Sequence, residues 1–291
     1  MRRLLILIVL LACLVGCAGH GARSVVNPSD VRTVTVNGGQ LACAVRGSGP
    51  PLLLIMGYGG TMDVWDPVLV DRLARHRTVI LFDNRGVGRS GGVTGSPLTM
   101  EDMARDGLGV LDALGVERAD VMGWSMGSMI AQEMALLAPD RIGKLVLYGT
   151  ASTPAEVRSA LGRFDGVTHE QFLKMLFPAD WAAAHPEVWD RLPVPAVPAT
   201  AESMVRQREA MLGWSGSAGR LASLKCSVLV VVGEQDMITP EEDGLAVVSR
   251  IPGAWLARFR GAGHWLMYQV PEGLSRTVET FLSTDQDLMA R

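Results

Sequence analysis

Gly123-Trp124-Ser125-Met126-Gly127 is the stretch whose residue types and spacing point most directly to chemistry. The apolar run Ala119-Asp120-Val121-Met122 before it predicts a buried strand. Met126 to Ala138 predicts a helix, stopped by Pro139. A serine on so tight a strand-to-helix turn has strained backbone angles. Its neighbours two before and two after must be tiny for strand and helix to approach, and Gly123 and Gly127 meet that need. Such a turn lifts the Ser125 hydroxyl above the sheet edge, at a helix N-terminus that favours developing negative charge. The chemistry would be nucleophilic attack on an acyl carbon, provided a base and a carboxylate come within reach. Five residues alone are also compatible with a glycine-rich turn holding a chance serine, so the rest of the chain decides.

The chain has five histidines. His20 lies near the N-terminus, His76 between Arg75 and Arg77 is expected at the surface, and His169 and His185 fall in a helical insertion. His264 sits in Gly261-Ala262-Gly263-His264-Trp265, between the last strand and the last helix, where a loop can bring an imidazole back over the sheet to Ser125. The imidazole in turn needs a carboxylate to fix its tautomer. Val228 to Val232 leads into Gly233-Glu234-Gln235-Asp236-Met237-Ile238-Thr239-Pro240, which places Asp236 just past the end of a central strand. Glu234 is the alternative acid, and helix capping is the alternative role for Asp236.

The elements that must position these groups alternate. Val31 to Val36 and Gln40 to Arg46 flank the turn signal Asn37-Gly38-Gly39, so the chain opens with an antiparallel hairpin. Continuous apolar runs follow at 51–56, 79–82, 120–122, 145–148 and 228–232, with a last strand near 254–259, as expected of strands covered on both faces. Helical patterns at about 64–75, 100–114, 126–138, 240–250 and 272–282 lie between or after them. The reading is an α/β fold with a mostly parallel central sheet of about eight strands flanked by helices. The segment 151–224 breaks the alternation: it has helical stretches at 169–177 and 200–212 around the proline-rich Pro193 to Pro198. That length is too great for a simple crossover and predicts a helical cap over the strand ends. The core is therefore assigned to 29–150 and 225–285.

With those motifs in order, the chain resembles the α/β-hydrolase family from about Val31 to its C-terminus. Asp83-Asn84-Arg85-Gly86-Val87-Gly88-Arg89-Ser90 is similar to the family's D-x-R-G-x-G-x-S segment. Gly233-x-x-Asp236-x-x-x-Pro240 is similar to its acid motif, Gly263-His264 to its histidine loop, and the cap after the sixth strand has the family's position. The resemblance implies Ser125, Asp236 and His264 as the catalytic residues, in the chain order of this fold. It implies an oxyanion hole from the backbone N–H groups of Met126 and Tyr58. The family commonly has His-Gly where this chain has Met56-Gly57, a departure that leaves backbone donors in place. A serine nucleophile argues against the aspartate-nucleophile relatives. Gly59, Trp124 and Trp265 are candidates for the substrate pocket, and Trp181, Trp189 and Trp214 either line it or pack the cap.

Residues 1–16 read as a signal peptide: Arg2 and Arg3, then an apolar run too short to span a bilayer as an ordinary helix. Leu14-Val15-Gly16-Cys17 resembles the lipobox of bacterial lipoproteins, which implies lipidation at Cys17, a tether over 17–28 and an exported, membrane-anchored protein. Leu10 to Cys13 is a second candidate, and a plain secretory signal or uncleaved anchor the alternative. Cys43 and Cys226 are expected as free thiols. A formal net charge of −3 excludes a strongly basic nucleic-acid surface. No cofactor or metal is implied.

The expected function is serine hydrolysis of a carboxylic ester, or related acyl bond, of a small to medium apolar substrate. Lactonase, thioesterase, carbon–carbon bond hydrolase and perhydrolase activities are alternatives on the same residues. A non-catalytic binding lipoprotein and a cell-envelope scaffold protein are the readings from other classes.

Overall fold

The computed structural model describes residues 24–91 and 97–285; the signal-peptide and lipidation readings, Cys17 included, lie outside them. The chain runs β1 (Arg32–Val36), β2 (Gly39–Arg46), β3 (Pro51–Ile55), α1 (Pro67–Leu73), β4 (Thr78–Phe82), α2 (Met100–Ala113), β5 (Ala119–Trp124), α3 (Met126–Leu137) and β6 (Ile142–Tyr148). Five helices follow: α4 (Pro154–Gly162), α5 (His169–Leu176), α6 (Ala179–Ala184), α7 (Val188–Arg191) and α8 (Ala201–Gly213). The chain closes with β7 (Ser227–Gly233), α9 (Glu241–Val248), β8 (Trp255–Phe259), α10 (Leu266–Gln269) and α11 (Pro271–Ser283).

The strands form one sheet in the order β1-β2-β4-β3-β5-β6-β7-β8. The β1–β2 and β2–β4 pairs are antiparallel and all others parallel. Buried side chains of the central strands feed two apolar clusters, one on each face. Leu52, Leu54, Met122 and Val146 face one cluster; Leu53, Ile55, Val121 and Leu145 face the other. This accounts for the unbroken apolar runs. The edge strand β8 instead alternates between half-buried and exposed residues.

Helix boundaries follow local chemistry. A helix expected over 64–75 is shorter because Met62–Val64 forms a 3-10 turn and the Asp66 carboxylate accepts from Leu69 N–H, capping a helix that starts at Pro67. α4 and α5 each begin with a capping box, Thr153 with Glu156 and Thr168 with Gln171. α4, α6 and α7 had no clear periodic signal, since two of them are six residues or fewer.

α3 is buried over its first ten residues, polar ones included. Glu133 is fully buried on it, where Arg220 makes a two-pronged ion pair with the carboxylate and Trp214 Nε1 donates to it at 2.8 Å. Trp214 therefore ties the cap to the core. Cys43 and Cys226 are free thiols, and burial pushes the Cys226 thiol up to about 11. His76 is exposed, as expected, while its neighbour Arg77 is buried and paired with Asp120 at 2.8 Å.

Candidate active site

Ser125 stands between β5 and α3 with φ 55° and ψ −125°. Among the described residues only it and Asn37 have positive φ without being glycine, a strain on the order of 1–3 kcal/mol that surrounding packing must hold. Its N–H donates to Tyr148 O at 2.9 Å, and its carbonyl accepts from the Ser128 N–H and hydroxyl at 2.8 and 2.6 Å. The flanking glycines are required by contact. A β-carbon at Gly123 would lie 2.1 Å from Gly127 O, and one at Gly127 would lie 2.1 Å from Ile55 O.

The loop after β8 carries His264 back to this edge of the sheet, where its side chain is buried. His264 O accepts from Tyr148 Oη and from Trp124 Nε1 at 3.1 Å, so two core side chains fix the loop. Gly149, at φ +58°, leaves room for the ring: a β-carbon there would sit 3.2 Å from His264 Cε1. The Trp124 ring, from the residue before Ser125, packs against the imidazole with centroids 5.1 Å apart.

Asp236 meets His264 from the loop after β7. The Nδ1···Oδ2 distance is 2.7 Å with both side chains buried. A carboxylate only accepts, so Nδ1 carries the proton and Nε2 is left with its lone pair. Asp236 Oδ1 also accepts from the Ile238 and Thr239 N–H groups, at 2.8 and 2.9 Å, and Oδ2 from the Thr239 hydroxyl at 2.9 Å. Glu234 goes elsewhere, accepting from Gly261 N–H at 3.0 Å and pairing with Arg258 at 3.3 Å. Among the described residues no hydrogen bond joins the Ser125 hydroxyl to the imidazole; such contacts commonly tighten only with substrate bound.

The loop after β3 closes the arrangement. A β-carbon at Gly57 would lie 3.0 Å from Ser125 Cβ, so this loop runs directly against the serine. Asn84 Nδ2 donates to Met56 O at 3.0 Å, and Asp83 accepts from the N–H groups of Met62 and Arg89, at 2.7 and 2.8 Å. The D-x-R-G-x-G-x-S segment therefore braces the loop rather than touching the serine. Met126 N–H is the first amide of α3, one of those with no acceptor inside a helix. Gly59, expected to leave room for substrate, turns at φ +67° beneath the cap, with Met204 Sδ 2.3 Å from where its β-carbon would be.

An aromatic chain leads from the imidazole into the cap: Trp124 to Trp265 at 6.2 Å, Trp265 to Phe177 at 5.8 Å, and Phe177 to Trp181 and Trp189 at 5.4 and 5.6 Å. Tyr148, Gly149 and Thr239 also belong to the site and were not singled out in the sequence. For Thr239 the one available signal is its place inside the acid motif. Among the described residues no group of three or more His, Cys, Asp or Glu is placed to hold a metal ion. An open cleft of about 1050 Å³, lined by His76, Asp120 and Lys144, lies at the opposite end of the strands.

Comparison with known proteins agrees with this architecture. A family model described as alpha/beta hydrolase fold matches residues 50–271. Among similar sequences is a putative carbamate hydrolase, RutD, of Azorhizobium caulinodans, 32% identical over 242 residues that cover 78% of this chain and 89% of the relative. Among similar solved structures are a thermophilic esterase from Thermogutta terrifontis and the enol-lactonase from Burkholderia xenovorans. The esterase has a TM-score of 0.75 at 28% identity, covering 87% of this chain and 97% of its own. The enol-lactonase has a TM-score of 0.75 at 25% identity, covering 87% of this chain and all of its own.

Proposed function

The chain belongs to the α/β-hydrolase fold family and is a hydrolase, and from that premise we propose that it cleaves a carboxylic ester or closely related acyl bond through an acyl-enzyme on Ser125. The observation that carries the reading is the buried 2.7 Å hydrogen bond between His264 and Asp236, on a ring packed against the residue preceding a strained, half-buried serine. A binding protein has no use for that combination.

In the proposed mechanism His264 Nε2 takes the Ser125 proton as Oγ attacks the substrate carbonyl carbon. The imidazolium is stabilised by Asp236. Charge on the tetrahedral oxygen is met by the N–H groups of Met126 and Tyr58, at a helix N-terminus that favours it. Collapse expels the leaving group, which takes the proton from His264. Water, deprotonated by the same base, then releases the acyl group and restores Ser125.

Carbamate cleavage is a second reading, favoured by the similarity to a putative carbamate hydrolase. It requires the same nucleophile, base and oxyanion donors, with a carbamoyl group in place of the acyl group. Export and lipid anchoring at Cys17 complete the proposal and rest on the sequence motif alone.

The test is intact mass after exposure to a fluorophosphonate, together with turnover of short aryl esters and carbamates. A single adduct is expected, and Ser125→Ala should remove it and lower kcat by on the order of 10⁶-fold with little change in the thermal melt. Retained turnover in the variant would sink the assignment.

A further inference from the structure

The cap helix α8 lies on the loop that follows β3. Tyr58 Oη donates to Met204 O at 3.1 Å, and Gly59 N–H donates to Gln207 Oε1 at 2.8 Å. Gln207 is fully buried. Because Gly59 N–H can only donate, the carbonyl end of the Gln207 amide must face it, which fixes the amide's orientation. The other end is then an NH₂ group. Among the described residues this buried nitrogen has no acceptor. Buried donors are rarely left unpaired in native proteins, and one without a protein partner calls for a partner from outside the fold.

Its position suggests which partner. Gln207 is bonded to Gly59, two residues along the loop from Gly57, where a β-carbon would lie 3.0 Å from Ser125 Cβ. A purely hydrocarbon substrate would leave the Gln207 donor uncompensated.

We propose that Gln207 is a substrate-binding residue whose Nε2 donates a hydrogen bond to an oxygen of the substrate near the scissile carbonyl. The site therefore selects esters or carbamates carrying such a polar acceptor over hydrocarbon analogues of equal length. The proposal rests on the reading of Ser125 as an acyl-transfer nucleophile and goes beyond it in naming a recognition residue and a substrate class. Loss of the donor should act on discrimination, because a site built to hydrogen-bond a substrate rejects the analogue that lacks the partner.

The experiment compares matched esters. One pair shares a p-nitrophenol leaving group and differs in the acyl part, methoxyacetate against butanoate. The other shares a benzoyl group and differs in the alcohol, 2-methoxyethyl against butyl. The readout is the ratio of kcat/KM within each pair, in the wild type and in Gln207→Met; intrinsic differences in ester reactivity cancel between the two proteins. The ratio should fall about 5- to 150-fold in at least one pair, and the pair affected tells which side of the carbonyl carries the acceptor. Gln207→Glu is the second variant. It keeps an oxygen for Gly59 N–H while replacing the donor nitrogen, and at pH 8 it should lower the same ratio. Folded variants that slow both members of each pair equally would overturn the proposal and leave Gln207 as a brace for the loop. A wild type that hydrolyses none of the four esters and takes no fluorophosphonate label would instead refute the acyl-transfer reading on which it stands.

Discussion

Two carboxylates stand near the end of β7, and their partners separate them. Asp236 has four donors aimed at it, one of them the imidazole, whereas Glu234 is occupied by Gly261 N–H and Arg258. In Asp236→Asn the Ile238 and Thr239 N–H groups hold the one remaining oxygen, which turns the amide NH₂ toward Nδ1 and leaves the imidazole proton on the nitrogen facing Ser125. Asp236→Asn should therefore lower kcat by about 10⁴-fold, with Glu234→Gln within a few-fold of wild type. Steady-state kinetics on an activated ester checks this, and the reverse order would move the acid to Glu234. Both carboxylates were visible in the sequence as candidates beyond one strand. The choice between them was not, because it depends on which faces the imidazole and which faces the loop after β8.

The loop after β4 is the element whose chemistry is most easily mistaken. Its glycines and aspartate look like part of a binding site, yet Asp83 is buried beneath the loop after β3, which it braces through Met62 N–H while Arg89 N–H ties it to its own loop. A β-carbon at Gly88 would fall 2.4 Å from the Asp83 carboxylate, so that position requires glycine. Burial raises the Asp83 carboxyl from 3.8 to about 6, against the pull of its backbone donors. The folded state then binds this proton more tightly than the unfolded chain. The stability from this group is greatest at low pH and is lost as pH rises through about 6. Between pH 4.5 and pH 7 the loss is about 2 kcal/mol. Asp83→Asn cannot ionise, so the stability gap between wild type and variant should narrow by about that amount on going from pH 4.5 to pH 7. Urea unfolding at the two pH values tests it, and a gap independent of pH would contradict the burial argument.

Across the whole molecule, the cap is joined to the core by polar ties at several points, two of them exposed arginines on buried carboxylates. Arg220 and Trp214 reach Glu133, Arg191 reaches Asp66 at 3.4 Å, and Trp265 N–H donates to Leu176 O at 2.9 Å. The described chain begins equally fixed. Ser24 donates to Asp63 at 2.9 Å, and Val25 and Val26 are buried in the core. If Cys17 is the lipidated residue, the seven residues from Ala18 to Ser24 span at most about 25 Å, which holds the hydrolase close to the bilayer. Two acyl chains suffice for stable anchoring. Cys17→Ser should therefore move the protein from the membrane fraction to the soluble one, or leave it unprocessed, with the mass changed accordingly. Unaltered fractionation and mass would refute lipidation there.

The sequence by itself determined the sheet, its flanking helices, the turn carrying Ser125 and the loops carrying Asp236 and His264. These depend on local signals: runs of apolar residues, glycines where strand and helix collide, and loops that must fall at strand ends. Tertiary structure alone decided which acid meets the imidazole, that Trp214 ties the cap to Glu133, and that Gln207 reaches across from the cap to Gly59. Tyr148 and Gly149 gained their roles in the same way, because a phenol beneath a histidine loop and a gap beside an imidazole exist only once β6 and that loop are side by side. Contacts between residues tens to more than a hundred positions apart leave no periodicity in either segment, so no reading of the chain in order could contain them.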